Sequence, residues 1–208
     1  MAGATVAAGH MKKVLLAGIV LILATVMAWA ESAPRAHAFR GSPVDPPFGA
    51  PNFTLNDQNG QPFQLSDQRG RIVVLFFGYT HCQDVCPTTL AQFKQVRAQL
   101  GSQAERVHFV FITVDPERDS PERMKAYLSA FDPNIVGLGG SEAELEPAWR
   151  AYGVYHQKQP GSGADDYSVD HSANVYLVDA QGNLRLTFSP GFATAGLTQD
   201  VRYLLGQK

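Results

Sequence analysis

Apolar residues fall along this chain in three rhythms, and each rhythm predicts an element. Two continuous runs, RIVVLFFGY at residues 71–79 and RVHFVFITVD at 106–115, are rich in β-branched and aromatic side chains. They read as strands buried on both faces. Paired apolar–polar alternations occur twice. FTLNDQNGQPFQLSD (53–67) turns at Asn59-Gly60 and ANVYLVDAQGNLRLTF (173–188) turns near Gln181-Gly182-Asn183, so each predicts a β-hairpin. Helical spacing governs the remainder. Leu90, Phe93, Val96 and Leu100 share one face of a helix over 88–100, with Gly101 as its stop. Ser120-Pro121 is an N-cap followed by proline at the first helical position, and Met124, Tyr127, Leu128 and Phe131 supply the apolar face behind it. NIVGLGG (134–140) reads as a short strand. Ser141 caps a helix through Leu145 and Trp149, which Pro147 weakens, and residues 197–205 form a closing helix.

The order is hairpin, then alternating strands and helices, then a second hairpin and a last helix. Alternation implies parallel strands joined by right-handed crossovers, and the late hairpin adds antiparallel ones. The predicted fold is α/β: a thioredoxin-like mixed sheet flanked by helices, with an N-terminal hairpin, over residues 52–208. Two polar stretches interrupt the pattern. Residues 39–51, largely RGSPVDPPFGAP, read as an extended tether. QKQPGSGADDYS (157–168) reads as a polar, flexible loop.

Before residue 39 the chain changes character. Lys12 and Lys13 precede seventeen uncharged residues, 14–30, and small-x-small sites follow at 28–30 and 36–38. Residues 1–38 therefore read as a membrane anchor or a signal segment, with the lysines holding that end in the cytoplasm. The expected location is a bacterial inner membrane, single-pass, with the domain in the periplasm. Composition adds little: 45% hydrophobic and 17% charged residues suit an ordinary globular domain. A net charge of −2 offers no basic footprint for nucleic acid.

The chain's two cysteines, Cys82 and Cys86, both fall in FFGYTHCQDVCPTTL (76–90), between a buried strand and a helix. Carboxyl ends of sheet strands are where such folds place their chemistry. A helix N-terminus beside them favours thiolates, which redox chemistry and metal binding both need. Cysteines four apart on regular helix would hold their Cβ atoms roughly 5–6 Å apart, too far for a disulfide. Cys82 is thus expected in irregular loop, with the pair able to exist as disulfide and as dithiol. Three intervening residues instead of two widen the bite towards metal. Among the histidines, His10 and His37 lie outside the domain and His108 sits within a strand. His81 is expected to point away from Cys82, and His156 precedes the polar loop. His171, in SVDHSAN, stands where a thioredoxin-like fold usually turns a cis-proline towards its cysteines. Two thiolates and an imidazole would suit Cu(I) or Cu(II), and zinc less well for want of a fourth ligand.

The motifs FFGYTHCQDVCPTTL, FITVDPERDSPERMKAYL, IVGLGG and YSVDHSANVYLVDAQGNL together resemble the Sco/SenC family of copper chaperones, from about Pro51 to the C-terminus. Gln83 departs from the proline usual at that place. The resemblance implies one copper per chain, bound by Cys82, Cys86 and His171, with Asp84, Asp115 and Asp170 near the site or used in partner recognition. It also implies assembly of the dinuclear copper centre in cytochrome c oxidase subunit II. An envelope thiol reductant and another periplasmic copper carrier would serve as further partners. Thiol–disulfide exchange without carried metal is the alternative, and a peroxiredoxin-like peroxidase a weaker one.

Overall fold

A computed structural model of the chain describes residues 37–163 and 166–207. The segment expected as anchor or signal lies outside them, apart from its last two residues. Among the described residues no helix is long and apolar enough to cross a membrane. Residues 39–208 constitute one unit.

Its frame is an eight-stranded mixed sheet. At the centre are β4 (Ile72–Gly78) and β5 (Val107–Thr113), the two continuous apolar runs, paired in parallel from Ile72↔Val107 to Gly78↔Thr113. Every residue of β4 is buried, as a strand covered on both faces demands. On one side β6 (Val136–Gly139) continues the parallel set, followed by the antiparallel hairpin of β2 (Thr54–Asp57) and β3 (Pro62–Gln64). The Asp57 carboxylate accepts from the N–H groups of Asn59 and Gln61 and so closes that turn. On the other side β9 (Val175–Val178) runs antiparallel to β4, and β10 (Asn183–Phe188) pairs with it in turn.

Among the described residues four α-helices flank the sheet. α1 (Val85–Leu100) buries Leu90, Phe93, Val96 and Leu100, as their spacing predicts, and Gly101 follows it at φ 58°. It begins three residues earlier than expected, so Cys86 and Pro87 both lie in its first turn. α2 (Pro121–Ser129) opens with the Ser120 oxygen accepting from the Arg123 N–H. α3 (Glu142–Ala151) opens with a full capping box, Ser141 with Glu144, and tolerates Pro147 inside it. The box is worth about 1 kcal/mol. α4 (Thr194–Gly206) lies against α1, where Thr198 donates to Gln99.

Two polar stretches are ordered differently from their sequence character. Within residues 39–51, Ser42–Gly49 is a strand, β1, paired with β10 at the sheet's edge. Pro46 and Pro47 fall where the register shifts between Pro43 and Phe48, so their missing N–H groups leave no gap in the ladder. The described residues of the stretch 157–168 lie in paired strands too. β7 (His156–Gly163) and β8 (Asp166–His171) form an antiparallel hairpin that is its own two-stranded sheet.

Candidate metal centre

Topology brings the site together at one end of β4. Because β4 runs parallel to β5 and antiparallel to β9, its carboxyl end lies beside the carboxyl end of β5 and the start of β9. The cysteine loop leaves β4, Asp115 follows β5, and His171 ends β8 just before β9. Residues about 90 positions apart thereby meet.

Cys82 sits in irregular loop and is half-buried, while Cys86, in the first turn of α1, is fully buried. Both are free thiols. The Cys86 backbone N–H points at Cys82 Sγ over 3.4 Å, and His171 Nε2 lies 3.5 Å from Cys86 Sγ. The two sulfurs and one His171 nitrogen all lie within 4.8 Å of one another. A glycine makes this possible. A Cβ on Gly78 would stand 2.8 Å from Cys86 Sγ and 2.9 Å from the rings of Phe76 and Phe111, so the sulfur occupies the space of the missing side chain.

The helix N-terminus does not acidify both thiols alike. Cys82 is pulled down to about 4, mainly by the hydrogen bond from the Cys86 thiol, with His171 and the Asp84 and Cys86 backbone amides adding to it. Cys86 is pushed well above the ordinary thiol value, first by burial and then by sharing its proton with Cys82. The expectation of two acidic thiols gives way to one thiolate and one thiol that share a proton.

His171 is aimed by its surroundings. Its Nδ1 lies 3.0 Å from the Ser172 carbonyl, which fixes the ring so that Nε2 faces the sulfurs. Tyr79 and Phe76 meet the imidazole edge-on at 5.7 and 6.3 Å. The Tyr79 hydroxyl in turn accepts from the Val169 N–H of β8.

The three aspartates occupy different places. Asp84 is exposed at the N-cap of α1 and makes no side-chain cap bond. Asp170 is exposed and accepts from Gln159 across the hairpin. Asp115 is fully buried, accepting from Arg118 Nε at 2.6 Å and from the Tyr167 hydroxyl at 2.7 Å. It touches the hairpin that carries His171, not the sulfurs. His81 turns from the cysteines towards Asp115 and Asp119, its ring nitrogen within 4.8 Å of their carboxylates. His108 lies beside Arg71, and His156 packs on Trp149 at 4.2 Å.

Four contributors escaped the sequence reading: Asp119, Tyr79, Arg118 and Tyr167. Asp119 is buried and accepts from the Thr80 N–H and hydroxyl and from the Thr113 hydroxyl, the last two at 2.6 Å. It fixes the turn that leads into Cys82. Burial raises its carboxyl above the ordinary value despite these bonds. The one signal in the sequence was an acidic residue just after a buried strand, and solvent-exposed aspartates are far commoner there. Beside the site an open groove of about 430 Å³ runs between Gln83 and Asp84 of the loop and Tyr167 and Ser168 of the hairpin.

Comparison with known proteins settles the lineage. Residues 43–206 match the family model described as SCO1/SenC. The chain belongs to the SCO1/SenC family. It is 41% identical over 150 residues to the mouse protein SCO2 homolog, mitochondrial, a match covering 71% of this chain and 57% of that relative. The chain thus spans little more than half of that protein's length. Among solved structures, Bradyrhizobium japonicum ScoI with copper bound superposes with a TM-score of 0.69 at 39% identity, covering 81% of this chain and all of that one. Apo Sco1 from Thermus thermophilus gives 0.74 at 39% identity, covering 82% and 99%. The thioredoxin-like mixed sheet is therefore the family's architecture.

Proposed function

We propose that this chain is a copper metallochaperone. It holds one copper ion, Cu(I) or Cu(II), on Cys82, Cys86 and His171 and delivers it to the dinuclear copper centre of cytochrome c oxidase subunit II. The convergence of two sulfurs and an imidazole nitrogen within 4.8 Å carries the reading. Soft thiolates with one imidazole favour copper. Zinc would want a fourth donor, and the buried carboxylates nearby, Asp115 and Asp119, are committed to Arg118, Tyr167, Thr80 and Thr113. Two thiolates with Cu(I) leave a net −1 that the N-terminus of α1 offsets. A SCO1/SenC relative with copper bound supports the same cargo. The domain works outside the cytoplasmic membrane, tied to it by residues 1–38, with an envelope thiol reductant keeping the cysteines open and a periplasmic copper carrier as a source.

One observation favours a second reading. A half-exposed Cys82 thiolate beside a buried Cys86 thiol is the asymmetry of a dithiol reductant, in which Cys82 attacks a partner disulfide and Cys86 resolves the mixed disulfide. Copper titration of the reduced protein beside His171→Ala separates the two. One copper per chain, held at least tenfold more weakly by the variant, supports the chaperone. Binding indifferent to His171, with full reduction of a model disulfide by both proteins, supports the reductant.

A further inference from the structure

His171 belongs to a hairpin that shares no ladder with the main sheet. What places its imidazole against the sulfurs is therefore a side-chain question. The base of the hairpin is closed locally, by Tyr155 and Ser172 exchanging hydrogen bonds. Farther along, Val169 of β8 donates its N–H to the Tyr79 hydroxyl, and Tyr167 reaches back to the end of β5. The Tyr167 hydroxyl donates to Asp115 at 2.7 Å, and the Tyr167 carbonyl accepts from Arg118 Nη1 at 2.8 Å. The Arg118 guanidinium carbon lies 3.5 Å from the centroid of the same ring. Arg118 is itself fixed to the buried Asp115 carboxylate at 2.6 Å. Its guanidinium thus grips the tyrosine by face and backbone at once, a use of the planar fork that a lysine cannot copy. Lys158 on β7 and Glu117 add an outer ion pair.

We infer that Arg118 and Tyr167 are positioning residues of the metal centre: with Asp115 they latch the β7–β8 hairpin to the end of β5 and so hold His171 in place before copper arrives. The inference rests on the copper reading above. A preset imidazole spares the ordering cost at binding, so cutting the latch weakens the third ligand and leaves the two sulfurs where they are. Asp115 then acts on copper only through these two side chains.

The test uses the full reduced chain with Tyr167→Leu, Tyr167→Phe and Arg118→Lys, each made alone and with His171→Ala. Three quantities are read: Cu(I) release to a chromogenic chelator, amide exchange across residues 166–171 without metal, and the denaturation midpoint. Tyr167→Leu and Arg118→Lys speed copper release about tenfold. They also speed hairpin exchange about tenfold, because opening there becomes local. Tyr167→Phe keeps the stacked guanidinium and the carbonyl bond and shows about a third of the effect or less. In the His171→Ala background none of the three accelerates release further, since the latch works through that imidazole. Equal acceleration with and without His171, a rise in release rate that merely tracks the fall in the midpoint, or unchanged hairpin exchange in Tyr167→Leu would overturn the inference. A wild-type chain that takes up no copper overturns the proposed function instead, while the exchange measurement still decides whether the latch exists.

Discussion

The two halves of the candidate centre are attached to the protein in opposite ways. The cysteine loop is built into the core: it leaves a fully buried strand, its turn is bound by Asp119, and Cys86 Sγ fills the void above Gly78. The hairpin carrying His171 is a satellite, outside the main sheet and held by Arg118, Tyr167 and the Val169–Tyr79 bond. A binding site that must also let go benefits from this division. In the proposed copper site, two sulfurs on a rigid seat would set the affinity and identity of the cargo, and one imidazole on a separate hairpin would set how fast it leaves.

The largest blow to that contrast falls on the rigid side. Cys86→Ala removes a sulfur that nothing else can replace, and copper affinity drops at least about a thousandfold, or ~4 kcal/mol. Competition against a Cu(I) chelator measures it, and affinity within tenfold of wild type would mean that Cys86 is not a ligand.

Next comes Asp119→Ala, which strands the Thr80 N–H and two hydroxyls in the interior and costs about 2–4 kcal/mol of folding stability. Asp119 also has a pH signature. Its carboxyl is raised above 3.8 in the fold, so between 3.8 and the raised value the folded protein holds a proton the unfolded chain has lost. Asp119 alone therefore makes stability fall as pH rises through that window, and Asp119→Asn flattens the slope. Urea unfolding at a series of pH values from 3 upward reads both effects, and a slope equal in wild type and variant would remove Asp119 from the account.

Gly78→Ala probes the seat itself. Its methyl group must displace Cys86 Sγ or the Phe76 and Phe111 rings, so copper weakens about tenfold and stability falls about 1–3 kcal/mol. A variant with wild-type affinity would show that the sulfur does not depend on that void.

The gentlest expectation concerns reactivity without any mutation. With its thiol pulled down to about 4, Cys82 in the reduced metal-free protein alkylates at a rate that is nearly flat from pH 5 to 8, while Cys86 stays unmodified. Mass spectrometry of iodoacetamide-treated protein follows each site. A midpoint near the ordinary thiol value would place the shared proton on Cys82 instead.

The same division explains what could be read from the sequence. Elements whose stability is local or two-sided were legible: the continuous runs of β4 and β5, the spacing of α1, the Ser120 and Ser141 caps and the turn at Asn59-Gly60. The cysteine pair announced itself as the chain's two thiols on one strand–helix junction. Ser42–Gly49 and the β7–β8 hairpin did not, because their residues carry no apolar alternation. Prolines and glycines there read as loop, and their partners, β10 and Arg118, lie far away in sequence. Tyr79, Arg118, Tyr167 and Asp119 were invisible for the same reason, since each acts only through residues brought to it by the fold. The start of α1 was placed late because Val85, Cys86 and Pro87 precede the apolar repeat that begins at Leu90.

X-ray absorption at the copper edge of the reduced, Cu(I)-loaded chain tests the account most directly, read beside His171→Ala. The predicted result is two sulfur scatterers and one imidazole nitrogen in the wild type, with the imidazole signature lost and both sulfurs kept in the variant. Identical spectra from the two proteins would contradict it, leaving copper on the cysteines alone and His171 without a place in the centre.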